Sequence, residues 1–143
     1  MKNLPRRIPE TEWKRRKYEE LMLFLDKLRE KCKEGAIIIV EGWRDAEALK
    51  SLGLDGEFCC IKNTRIPICD LLIKYASTDR EIIVLTDFDK GGVKLAGKIK
   101  KYLESYGKTV NLNFWLKIGS FVSKDVKDVE GLASYFRSIS EKI

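Results

Sequence analysis

The stretch VLTDFDKGG, residues 84–92, closes an apolar run with two aspartates one residue apart and follows them with paired glycines. An earlier apolar run, AIIIV at 36–40, closes in EGWRD, which adds Glu41, Gly42 and Asp45. Carboxylates are therefore the reactive groups this chain presents. It contains no histidine, which removes the commonest general base and every Ser-His or Cys-His nucleophile pair. Catalysis would have to run on carboxylates, lysines, hydroxyls or a metal ion. The four cysteines, Cys32, Cys59, Cys60 and Cys69, form no CxxC pair and read as buried, reduced thiols rather than zinc ligands.

If the backbone is still extended at Asp87 and Asp89, both side chains project to one side, because the strand period is two. If their strand neighbours the one ending at Glu41, at a spacing of about 4.8 Å, Glu41 faces that pair. Three converging carboxylates repel, and a cation resolves the conflict. An all-oxygen set suits Mg²⁺ or Mn²⁺. Gly42, Gly91 and Gly92 would let backbone approach a ligand, and a helix starting near Gly92 would aim N–H groups at an anion. A lone DxD has a plainer reading too, in which Asp87 or Asp89 caps the following helix.

These groups need a scaffold that brings two strand ends together. Apolar residues three or four apart from about Thr11 to Lys33 predict an amphipathic helix stopped by Gly35. Residues 36–40 predict a strand buried on both faces. A short helix in DAEALKSLG follows, then a strand at 57–61, a helix opened by Pro67 and a third buried strand at 81–86. A helix runs from about Gly92 to Gly107, the alternation in TVNLNFW (109–115) suggests an edge strand, and VEGLASYFRSI suggests a last helix. The expected fold is α/β, Rossmann-like, with about four mainly parallel strands, helices on both faces and an added N-terminal helix. In such sheets ligands bind beyond the carboxyl ends of the strands, where Glu41, Asp87 and Asp89 would lie.

At 143 residues one globular domain is expected, with residues 1–34 as a basic arm and helix packed on a domain of 35–143. No stretch reads as a membrane span or signal peptide, so no membrane partner and a cytoplasmic location are expected. Net charge is +6, and residues 1–35 carry 11 Lys and Arg against 7 Asp and Glu. The excess includes Arg6, Arg7 and Lys14 to Lys17, compatible with a phosphate-rich partner and equally with a solvated helix face. Glutamine is absent and Lys, Glu, Arg and Ile are plentiful, a composition that leans towards a thermophile.

IIIVEGWRDAEALKSLG followed by IIVLTDFDKGGVKLAGKIKKYL resembles the two signature segments of the Toprim domain, shared by topoisomerases, bacterial-type primases, certain nucleases and recombination proteins. The likeness spans roughly residues 35–135. With KDVEGL at 127–132 it is most similar to the Toprim part of the ribonucleases that mature ribosomal RNA and to small stand-alone Toprim proteins of archaea and bacteria. The resemblance implies Mg²⁺ (or Mn²⁺) held by Glu41, Asp87 and Asp89 at a phosphodiester, with Glu41 as general acid or base. Asp45 would take a supporting role with Gly42, Gly91 and Gly92, its ionised form favoured by the start of a helix. Strand passage and primer synthesis are not expected, because the chain lacks the further domains those activities need. DFD also resembles the nucleophile loop of haloacid-dehalogenase phosphatases, but there the motif follows the first strand, and Gly91 stands at a Thr/Val position.

Arg44, Lys62, Arg65 and Lys90 are predicted on the same sheet edge as the carboxylates, and Lys124 and Lys127 precede the last helix. All six are candidate nucleic-acid contacts. Trp43 could stack on a base or sit as a partly buried loop aromatic. Two functions follow: a small Mg²⁺-dependent nuclease or RNA-processing enzyme, or a non-catalytic module that binds RNA or a ribonucleoprotein. RNA is favoured over DNA, in a monomer or homodimer.

Overall fold

The computed structural model describes residues 10–62, 64–122 and 124–141. The arm with Pro5, Arg6, Arg7 and Pro9 lies outside the described residues. The elements are α1 (Glu10–Lys33), β1 (Ile37–Val40), α2 (Trp43–Lys50), β2 (Glu57–Cys60), α3 (Ile68–Ile73), β3 (Ile82–Val84), α4 (Lys90–Ser105), α5 (Asn113–Val122) and α6 (Val129–Ser140).

β1 is the central strand of a parallel sheet ordered β2-β1-β3. Ile37 pairs with Glu57 on one side and with Ile82 on the other. All four residues of β1 are buried, which is why the run is apolar throughout rather than alternating. The pleat splits the core into two layers. Ile38, Val40, Ile83 and Leu85 pack against α1, α2, α5 and α6, and Ile37, Ile39, Ile82 and Val84 pack against α3 and α4. α1 joins the first layer through Leu21, Leu25, Leu28 and Cys32, the stripe that helical spacing sets on one face. Gly35 and Gly53, just past α1 and α2, adopt φ of 96° and 89°, left-handed conformations in which other residues are strained.

The sheet has three strands rather than about four. The segment 109–115 contributes a single parallel bridge, Ile83 to Asn111, and the chain then turns into α5. Asn111 links both ways to β3, its N–H to the Ile82 carbonyl at 2.7 Å and its carbonyl from the Val84 N–H at 3.1 Å. The apolar positions that decide the matter come later: Phe114, Ile118 and Val122 repeat every four residues and are buried, a helical period. The alternation in TVNLNFW is too short to outweigh it. The thiols also divide: Cys32 and Cys59 are buried as expected, whereas Cys60 is half-buried and Cys69 is exposed.

From β1 the chain passes through α2 to β2 on one side, then returns to β3 on the other. The strand order therefore reverses between β1 and β3, and a crevice opens beyond their carboxyl ends.

Candidate active site at the carboxyl ends of β1 and β3

Glu41 stands where the two strands part. The ladder runs from the Leu85 N–H to the Ile39 carbonyl at 2.8 Å. The next donor, the Asp87 N–H, goes instead to Glu41 Oε2 at 2.9 Å. The glutamate side chain thus replaces one rung of the sheet and is only 5% exposed. Its other oxygen, Oε1, pairs with Lys62 Nζ at 2.6 Å. The Lys62 N–H in turn donates to the Glu41 carbonyl at 2.7 Å, just beyond the β1–β2 ladder.

Asp87 and Asp89 take different hydrogen-bond partners. Asp87 Oδ1 accepts from the Val129 N–H at 3.1 Å, at the start of α6. Asp89 is exposed and caps α4, accepting from the Gly92 N–H at 2.7 Å. The plainer helix-cap reading therefore describes Asp89 as it stands. The cause is local: three residues past an extended cap, the free N–H of the first turn is the nearest donor.

A cavity of about 440 Å³ joins Glu41, Gly42, Trp43, Arg44, Asp45, Lys62, Asp87 and Glu130. Burial pushes the Asp87 carboxyl up to about 7, against the Val129 N–H, with Glu41, Asp45 and Asp89 adding repulsion. Asp45 lies in the first turn of α2, as expected, and accepts from the Gly42 N–H at 3.0 Å. Its pKa nonetheless moves up, not down. Half-burial dominates, and Glu41, Glu130 and Asp128 face it with like charge, which outweighs the Gly42 N–H and the start of the helix. Lys62 is raised by its hydrogen bond to Glu41.

Of the glycines, Gly92 is buried in the first turn of α4 and Gly91 is exposed. A Cβ at Gly92 would strike the Asp87 carbonyl, so this glycine admits the chain's own loop rather than a ligand. Gly42 has extended backbone, φ −141° and ψ 173°. Among the basic candidates, Arg44 and Lys62 reach the cavity. Lys90 opens α4 beside Asp89, and Arg65 is exposed in the β2–α3 connection. Lys124 and Lys127 are exposed between α5 and α6, where the Lys127 carbonyl accepts from the Phe88 N–H at 2.7 Å. That bond seats the α5–α6 loop against DFD.

Trp43 is 57% exposed, so it is not the partly buried loop aromatic that was the plainer expectation. The Arg44 guanidinium lies 5.4 Å from its ring centroid. Glu130 and Thr86 were not singled out from sequence. The Thr86 hydroxyl donates to the Gly92 carbonyl at 2.8 Å and its carbonyl accepts from Trp115 Nε1 at 2.8 Å. Glu130 follows a D-V-E pattern in which Asp128 caps α6 through the Gly131 N–H, but only the docking of α6 on α2 brings it to the cavity.

The donors here are all oxygen, and a half-buried carboxyl at about 7 marks a place where positive charge is wanted. Glu41 and Asp87, already side by side, fit a small divalent cation. Asp89 caps α4 through Oδ1 alone, and its charge acts on both Asp87 and Lys62. Among the described residues no group of three or more such side chains stands ready around one point.

Without metal, Asp87 is a cost to the fold. Its folded pKa lies above the unfolded value, so the folded state is favoured fully below about pH 4 and that advantage is lost as pH rises to about 7. Asp87→Asn keeps the acceptor for Val129 and removes the charge. In EDTA at pH 8 it is expected to stabilise by about 1–3 kcal/mol, a rise of roughly 3–10 °C in the melting midpoint, and to give no gain at pH 4. Thermal melts across pH 4–8 check this, and an equal gain at both ends would refute it.

An acid placed where β1 and β3 diverge, a second acid after β3 and a capped glycine helix beyond it define a Toprim-type centre. The Toprim domain family matches residues 36–115, more than half of the chain, and the chain belongs to it. Curated relatives carry the designation UPF0292 protein. The one from Thermococcus kodakarensis is 41% identical over 124 residues, covering 86% of this chain and 89% of its own. The one from Methanosarcina acetivorans is 36% identical over 128 residues, covering 90% and 88%. A solved protein from Aquifex aeolicus shares the fold, with a TM-score of 0.65 at 23% identity over 78% of this chain and 96% of that one. Family membership points to a metal-dependent function connected with nucleic acid. The archaeal relatives agree with the likeness to small stand-alone Toprim proteins of archaea, and those from Thermococcus with the thermophile leaning of the composition. Among the described residues no helix is long and apolar enough to cross a membrane.

Proposed function

We propose that this chain is a Mg²⁺-dependent Toprim enzyme acting on nucleic-acid phosphodiesters, a small nuclease or RNA-processing enzyme with RNA favoured over DNA. The observation that carries the reading is the meeting of Glu41 and Asp87 at the switch point, in an open polar cavity. Glu41, Asp87 and Asp89 would hold the cation, Mg²⁺ or Mn²⁺, which when bound polarises a phosphoryl oxygen and acidifies a water.

The chain's own groups divide the remaining work. The Asp87 N–H fixes Glu41 Oε2, so Oε1 is the atom left to serve the cation, and a proton at the phosphodiester would pass to or from Glu41 through a bound water. Asp45 braces the turn from β1 into α2 through the Gly42 N–H. Arg44, Lys62 and Lys90 meet phosphates nearest the centre, and Arg65, Lys124 and Lys127 extend the track. Trp43, exposed on the cavity rim, offers a face for a base.

A second reading has its own observation. Asp89 is committed to a helix cap and Glu41 to Lys62, an arrangement that also suits a module binding RNA or a ribonucleoprotein without cleaving it. The two separate in one assay: end-labelled structured RNA, single-stranded RNA and DNA, each with Mg²⁺, Mn²⁺ or EDTA, scored for cleavage and gel retention. Cleavage that requires metal is the expected result. Retention without cleavage in any metal would establish the binding module, and neither would sink both.

A further inference from the structure

We propose that Lys62 is an internal counter-ion, held on Glu41 in place of an incoming divalent cation, and that on exchange its ammonium passes to a phosphate oxygen of the bound nucleic acid. This rests on the metal-dependent reading of the site. It assigns Lys62 a part that a simple phosphate contact would not have.

The geometry of Glu41 leads there. Both carboxylate oxygens are engaged, Oε2 by the Asp87 N–H and Oε1 by Lys62. The two partners are not equivalent. The Asp87 N–H belongs to the backbone at the end of β3, and leaving it without an acceptor would strand a donor at the junction of two strands. Lys62 is a side chain 58% exposed, against 7% for the Glu41 side chain, on a flexible four-carbon stem that can swing into water. Of the two, Oε1 is the atom that can change partners.

A carboxylate this buried is costly without a positive neighbour. Asp45, Asp87 and Glu130 line the same cavity, so the need is sharper here than at an isolated acid. Lys62 meets it from a fixed base, because its own N–H is bonded to the Glu41 carbonyl at 2.7 Å. A divalent cation brings the site one charge more than the ammonium it replaces. The released ammonium stays tethered within a side chain's length of the cavity, where a phosphate oxygen gives it a new partner. Cation and polyanion then favour one another, and by linkage each raises the affinity of the other by the same factor.

Mn²⁺ binding, read by electron paramagnetic resonance at low salt, tests this without any cleavage. Wild type, Lys62→Met and Lys62→Arg would be titrated alone and with a 2′-O-methyl RNA oligonucleotide, with EDTA melts to verify folding. Lys62→Met is expected to bind Mn²⁺ about tenfold more tightly than wild type in the absence of oligonucleotide, the scale of losing one close competing charge. Lys62→Arg should stay near wild type. The oligonucleotide should tighten Mn²⁺ binding to wild type by a larger factor than to Lys62→Met. Lys62→Met binding Mn²⁺ no more tightly than a wild type that does bind would overturn the inference and leave the metal reading standing. Tighter binding with the oligonucleotide effect intact would overturn the transfer to phosphate. No Mn²⁺ taken up by any form would sink the metal reading and this one with it. If Lys62→Met fails to fold, the ¹⁵N signal of the Lys62 ammonium in wild type decides: it should shift on adding Mg²⁺, and a signal that stays put overturns the exchange.

Discussion

Glu41→Gln is expected to lose metal-dependent cleavage by about 10²–10⁴-fold while the fold persists, the range that removal of a general acid or base produces. Glutamine has nearly the same shape, and its amide oxygen can still accept from the Asp87 N–H that now reaches Glu41 Oε2 at 2.9 Å. The rung between β1 and β3 is therefore kept. What disappears is the charge at Oε1, the atom that faces the cavity and pairs with Lys62. Single-turnover rates on the best substrate, taken beside a melt in EDTA, separate chemistry from folding. Cleavage by the variant within about twofold of wild type would mean that proton transfer at Glu41 does not limit the reaction, and the catalytic assignment would fall.

The largest effect on stability should come from Gly92→Ala. An added Cβ would strike the Asp87 carbonyl and would lie 2.9 Å from the Asp87 nitrogen. The obstacle is backbone, so no side chain can turn aside. Gly92 is also held at both ends, its N–H by Asp89 at 2.7 Å and its carbonyl by the Thr86 hydroxyl at 2.8 Å. The start of α4 cannot slide without breaking one of them. A loss of about 3 kcal/mol, roughly 10 °C in the melting midpoint, is expected from the forced backbone shift. Gly97→Ala is the control in the same helix. It is exposed, with nothing within 4 Å of an added Cβ, and should stabilise by up to about 1 kcal/mol because alanine is the better helix former. Equal melts for the two variants would contradict the close approach of Asp87 to α4.

Both substitutions act on the same few ångströms of backbone. Asp87 hands its N–H to Glu41, its carbonyl to the space above Gly92 and its carboxylate to Val129. Displacing α4 would therefore move the carboxylate the site depends on. Gly92→Ala, if it still folds at low temperature, should show weakened Mn²⁺ binding before its core is lost.

Much of this site was legible because it is local. A continuous β-branched run as short as AIIIV between turn signals reads as a strand covered on both faces, and β1 is that strand. E-G-x-x-D and D-x-D-x-x-G, each ending an apolar run, locate acids at strand ends before any packing is known. Asp89 and Gly92 are three residues apart, so the helix cap was a reading open from spacing alone. The edge strand at 109–115 failed for the opposite reason. Alternation over a few residues does not distinguish a strand from the approach to a helix, and the four-residue repeat of Phe114, Ile118 and Val122 only has meaning once α1 and the sheet offer a layer to bury it.

By itself, then, the sequence determined the α/β class, the strand ends that carry Glu41 and Asp87, and the absence of any imidazole from whatever chemistry is done there. The direction of each carboxylate was decided by the tertiary structure. Glu41 turns to the Asp87 N–H because β1 and β3 diverge there, and Lys62 reaches it because β2 lies on the other side of β1. Glu130 joins the cavity because α6 packs against α2. Burial and neighbouring charge then set the Asp87 carboxyl near 7. The reason is physical: period and spacing fix which face a residue takes within its own element, while hydrogen-bond partners and desolvation depend on elements far apart in the chain.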